Sequence, residues 1–116
     1  MAKGDTKMIY DSEEDILSLS RGRKVKASID IGDFIVDVDH KGFVAGIEIL
    51  NASENLDIPA ETLESLRSAS MNISYKTKFI VLSLVMKFAN SEKSLAIPLT
   101  VDLGHKGAEH ELFAVA

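Results

Sequence analysis

Apolar and polar side chains alternate at period two along most of this chain, and that restricts it to sheets. Val25, Ala27, Ile29 and Ile31 alternate with Lys24, Lys26, Ser28 and Asp30, which predicts a strand with one wet face over 24–31. Phe34, Val36 and Val38 oppose Ile35, Asp37 and Asp39, and Phe43 to Leu50 returns as a partner strand. Gly32-Asp33 and Asp39-His40-Lys41-Gly42 read as tight turns, the second with Gly42 suited to a positive φ. Such short turns make consecutive strands antiparallel neighbours, which is a meander. Two shorter strands precede them at 7–10 and 16–20, separated by the polar turn Asp11 to Asp15 and followed by a turn at Arg21-Gly22-Arg23.

Asn51 breaks the pattern. Asn51 and Ser53 are candidate caps, and Pro59 suits a first helical position. Ala60, Leu63, Leu66 and Ala69 then recur at helical spacing, which predicts one main helix at about 59–68, with room for one turn before it at 52–56. Strand character resumes with Met71, Ile73 and Tyr75. Phe79 to Phe88 is apolar on both faces, as a central strand covered on both sides would be. After a loop at 90–93, Leu95 to Leu103 alternates around Pro98, which lacks an amide hydrogen and so predicts an edge strand. A polar tail at 104–111 and a last strand at 112–115 would close the chain. The expected class is α+β: an antiparallel meander of about six to seven strands, with the helix between two strand groups. A length of 116 residues suits a single domain, since two halves would each have a marginal core.

Tyr10-Asp11, Glu13, Asp15 and Leu17, followed by Ile35-Val36-Asp37, Asp39, Gly42, Val44, Gly46-Ile47-Glu48-Ile49-Leu50 and Ala52-Ser53, resemble the uncharacterised family known as domain of unknown function 2283. The resemblance covers residues 8–53 and departs at Ser18, where the family often has an aromatic. It implies a small meander followed by a helix and no assigned activity. Short members beside toxin-like genes add an antitoxin-like role to what it implies.

Candidate chemistry is sparse. Tyr10, Asp11, Glu13, Glu14 and Asp15 could supply paired carboxylates, with a solvated turn as the competing reading. Asp37 and Glu48 come near each other if their strands pair, either as a site or as a charge ladder facing water, with Lys24 or Lys26 in reach. Tyr10, Asp11, Asp15, Asp37 and Glu48 thus form the candidate cluster. Asp37, Asp39, Gly42 and Glu48 match calcium-loop positions, but Lys41 stands where an oxygen is needed and strands replace the flanking helices, so a hairpin turn is expected. His105 and His110 are weak metal candidates whose i, i+5 spacing fits no helical pair, so no metal and no cofactor are expected. No Gly-x-Ser-x-Gly elbow and no glycine-rich phosphate loop occur, and cysteine is absent.

The net charge of −5 predicts no general nucleic-acid binding. Arg21, Arg23, Lys24 and Lys26 form a local basic patch, read as lacking aromatic neighbours for base stacking. Residues 1–58 carry seven basic and twelve acidic side chains, so the whole negative balance lies there. No stretch is long enough to span a membrane, and no leader-like segment opens the chain, which together predict a cytoplasmic protein. Too many strands for one helix to cover predicts a buried face, hence a homo-oligomer or a protein partner. The expected function is a non-enzymatic interaction or oligomerisation module; the alternatives are an antitoxin-like partner and a metal-dependent enzyme.

Overall fold

Among the described residues, β-branched and aliphatic side chains set at alternate positions form eight strands, which pair in two separate sheets. The structure, a computed structural model, describes residues 6–100. Five strands make the first sheet: β1 (Lys7–Asp11), β2 (Ile16–Ser20), β3 (Ala27–Ile31), β4 (Phe34–Val38) and β5 (Val44–Ile49). Their order is β1-β2-β5-β4-β3, antiparallel throughout. Two short helices follow, α1 (Ala52–Leu56) and α2 (Ala60–Glu64). The second sheet is an antiparallel meander of β6 (Ser68–Tyr75), β7 (Phe79–Lys87) and β8 (Glu92–Thr100). One buried cluster joins the sheets: Leu17, Leu19, Val36, Ile47 and Ile49 from the first meet Ile80, Leu82, Leu84 and Met86 from the second, with Leu56 and Leu63 from the helices. α+β thus holds, but the strands divide between two sheets instead of forming one meander.

The first sheet departs from a meander because of residues 21–26. The Arg21 amide donates to the Ala45 carbonyl at 2.9 Å and the Lys26 amide to the Val38 carbonyl at 2.8 Å. The chain therefore leaves β2 at the end of β5, passes β4, and enters β3 at the far edge, where Val25 stays 46% exposed. Six residues are long enough to skip two strands; the turn signal at Arg21-Gly22-Arg23 is real, with Gly22 at φ 76, but it is no hairpin. The Gly32 and Gly42 turns do close hairpins, at φ 60 and φ 88.

The turn foreseen at 52–56 is α1, and the main helix foreseen at 59–68 shortens to the single turn of α2. α2 ends at Glu64, and the Arg67 amide donates to the Lys87 carbonyl at 2.8 Å, which draws the chain into β6. Ala69 reaches the core from that strand and not from a helical face. A helix this short is marginal alone, whereas pairing with β7 binds eight residue pairs, so the strand wins. β7 is central, but among the described residues only one of its faces is buried: Ile80, Leu82, Leu84 and Met86 are buried, while Val81, Ser83 and Val85 are half-buried. β8, carrying Pro98, is an edge of the described sheet. The strand foreseen at 112–115 and the tail at 104–111 lie outside the described residues.

Gly46 is required by a close approach. It faces Ser20 across β2 and Asp37 across β4, and a Cβ there would stand 2.8 Å from the Leu19 carbonyl oxygen. A backbone oxygen can yield only if the β2–β5 pairing shifts. Gly46→Ala is expected to destabilise the protein by about 1–3 kcal/mol, the range for overpacking. An unchanged urea midpoint would contradict this.

Candidate functional site

Three of the five sequence candidates come together at the β1–β2 turn. The Tyr10 hydroxyl donates to Asp15 Oδ1 at 2.6 Å. Asp15 reaches across to α1, where its carboxylate accepts from the Ser53 amide at 3.1 and 3.3 Å and from the Ser53 hydroxyl at 2.7 Å. The Asp15 carbonyl accepts the Ala52 amide at 2.9 Å. Asp15 thus satisfies a helix start from 38 residues away, a task a local cap usually performs. Asn51, the foreseen cap, makes no capping bond; it sits at φ 50 and turns its amide to Asp33 at 3.3 Å. Asp11 belongs to its own turn, where Oδ1 accepts the amides of Glu13 and Glu14.

The hydrogen bond from Tyr10 holds the Asp15 carboxyl below the usual carboxylate range, aided by Ser53 and opposed by burial. Burial, with the adjacent Asp15 carboxylate, pushes the Tyr10 hydroxyl up to about 12. Both shifts follow from one geometry: a neutral phenol donating to an ionised carboxylate.

Asp37 and Glu48 lie on the outward face of the first sheet. Asp37 faces Gly46 and Glu48 faces Ile35, so the two carboxylates are diagonal neighbours. Asp37 accepts the Ser28 hydroxyl at 2.6 Å. Asp39 forms the hairpin foreseen for it: Oδ1 accepts the amides of Lys41 at 2.9 Å and Phe43 at 3.0 Å, and Oδ2 pairs with Arg23 at 3.2 Å. Burial pushes the Asp39 carboxyl up, but those two amides and the guanidinium outweigh it and hold it below its ordinary range. Among the described residues no group of three or more metal-ligating side chains occurs. His105 and His110 lie outside the described residues.

The sequence reading missed a cleft. Arg21, Arg23 and Lys24 from the β2–β3 crossing meet Asp39, His40, Lys41 and Phe43 from the β4–β5 hairpin, and Asn72, Ile73 and Tyr75 of β6 close the far side. The cleft has a volume of about 620 Å³. Val44 donates its amide to the Tyr75 hydroxyl at 2.8 Å, and Arg21 Nη2 donates to the Met71 carbonyl, so both sheets tie together beneath it. Burial raises the Tyr75 hydroxyl, against the Val44 amide and Arg21, which lower it. The basic patch does have aromatic neighbours: Arg23 Cζ lies 6.0 Å from the centre of the Phe43 ring, and Phe43 meets Tyr75 edge-on at 6.0 Å. That corrects the sequence expectation. The cleft follows from the pairing of β2 with β5, which sets the turn after Ser20 beside the turn before Val44 and which no local pattern in the sequence encodes.

The chain that carries this acidic turn and this basic cleft is similar to a family of unknown function and to two further proteins. Residues 7–53 match the family described as protein of unknown function (DUF2283). A 53-residue stretch is 43% identical to an uncharacterised protein of Methanocaldococcus jannaschii, covering 45% of this chain and 46% of that protein. The matched stretch therefore spans less than half the length of that relative. A Methanosarcina mazei protein provisionally named a hypoxanthine phosphoribosyltransferase is 29% identical over 89 residues, covering 76% of this chain and 72% of that protein. No solved structure matches the chain. Tyr10, Asp15, Gly42, Gly46 and Ser53, which carry the family resemblance, are the residues that bond the β1–β2 turn to α1 and close the hairpin and strand contacts. No helix among the described residues is long and apolar enough to cross a membrane.

Proposed function

We propose that this protein is a non-enzymatic interaction module that works as a homo-oligomer, joining a second copy through the outer face of β6, β7 and β8. One observation carries the reading: three consecutive cross-strand rows of that face hold no charge, next to the charged row of Ser68, Lys87 and Glu92. Ser70, Val85 and Ser94 form one row, Asn72, Ser83 and Ala96 the next, and Ser74, Val81 and Pro98 a third. Two copies carrying −5 each repel, so close contact needs an uncharged patch, and small side chains let two sheets approach. Edge-to-edge addition at β8 is blunted, because Pro98 offers no amide hydrogen.

Ser83 is central to that patch, opposite Asn72 and Ala96. Ser83→Lys places two buried like charges across a two-fold contact and is expected to give a monomer by light scattering. Ser18→Lys, on the outward face of the first sheet, is expected to keep the assembly. A Ser83→Lys protein with the same mass as the parent oligomer would overturn the assignment of this face.

A further inference from the structure

We propose that the cleft between the β2–β3 crossing, the β4–β5 hairpin and β6 binds a phosphate monoester carried on a compact, partly apolar body. Its volume of about 620 Å³ falls within the range of small-molecule sites, about 300–1,000 Å³. Four cations line it, Arg21, Arg23, Lys24 and Lys41, against one carboxylate, Asp39. Asp39 is already engaged by two amides and Arg23. Lys24 and Lys41 stand in no ion pair among the described residues. A concave concentration of positive charge in a chain of net −5 repels itself and attracts an anion.

The arginines narrow the class. Arg23 is held over the Phe43 ring and Arg21 is tied to the Met71 carbonyl, with its Nε–H buried and unpartnered among the described residues. Planar guanidinium groups fixed in this way suit oxyanions with several acceptors. A phosphate monoester carries about −1.5 to −2 charges near neutrality and three such oxygens, against a single charge on a carboxylate. The floor of Phe43, Val44, Ile73 and Tyr75 would take an apolar body.

The test is calorimetric titration of the full chain with phenyl phosphate, adenosine monophosphate, inorganic phosphate and an oligo-glutamate peptide. The esters are expected to bind at least about tenfold more tightly than inorganic phosphate or the peptide. Lys24→Glu with Lys41→Glu changes two exposed side chains and leaves the core intact, and circular dichroism verifies the fold. This double variant is expected to lose at least about tenfold in ester affinity, while Lys87→Glu, at the end of β7, leaves it unchanged. No ester binding at millimolar concentration, equal binding by the double variant, or tighter binding of inorganic phosphate or the peptide would each overturn the proposal.

Discussion

Replacing Asp15 with alanine is expected to lower the stability of the fold by about 2–4 kcal/mol, summing a lost cap and an unpartnered hydroxyl. Three effects combine. The start of α1 loses the carboxylate that accepts the Ser53 amide and hydroxyl. The Tyr10 hydroxyl, half-buried, loses its acceptor. Asp15 also sits at φ 57, a left-handed conformation that costs alanine about 1 kcal/mol more than Asn or Asp. Asp15→Asn keeps the conformation and one acceptor oxygen, so it should lose less. The pH profile separates charge from shape. The Asp15 carboxyl lies below its ordinary value in the folded state, so its contribution is complete above the unfolded carboxylate range and disappears as pH falls through its folded pKa. Tyr10 is raised, so its contribution is complete below the unfolded value of 10.0 and disappears as pH rises toward about 12. Denaturation midpoints across pH should show both limbs in the parent protein. In Asp15→Asn, the Asp15 share of the acid limb should be gone, leaving that of Asp33 and Asp39. An acid limb unchanged by Asp15→Asn would contradict the role given to this carboxylate.

Leu82→Ala carries the second large effect, expected at about 3 kcal/mol within the 2–5 kcal/mol range of buried leucine truncations. Leu82 is fully buried in the middle of β7, and the cluster around it includes Leu17, Leu19 and Ile47 of the first sheet. A single shared core predicts that the cavity weakens both sheets together. The thermal midpoint should fall by on the order of 10–20 °C, in one transition seen alike by far-ultraviolet circular dichroism and by exchange of amides in β2 and β5. Loss of protection confined to β6, β7 and β8 would show that the two sheets fold as separate units.

The strands were largely legible because alternation is a local signal. β4, β5, β6 and the core positions of β7 follow directly from it, and Gly32 and Gly42 mark hairpins where a positive φ is needed. Order in the sheet was not legible. The crossing at 21–26 depends on two backbone bonds, to Ala45 and Val38, that no local pattern encodes. The helix at 59–68 was misread because Ala69 falls at a helical interval by coincidence while β7 captures it as a strand residue. Phe79 to Phe88 reads as apolar on both sides, yet one face stays half-covered. Tyr10 and Asp15 were named only as members of an acidic turn that could supply paired carboxylates; their bond to each other and the link to Ser53 need the folded structure. The cleft was invisible for the same reason: Arg21 and Met71 are 50 residues apart in the chain.

The most direct test of the account is sedimentation equilibrium of the full chain from micromolar to millimolar concentration. The uncharged rows on the outer face of β6, β7 and β8 predict a mass that rises with concentration to a closed oligomer, and rises more readily in high salt, where repulsion between chains of net −5 is screened. A mass fixed at that of one chain, 12.6 kDa, across the whole series and at high salt would contradict it.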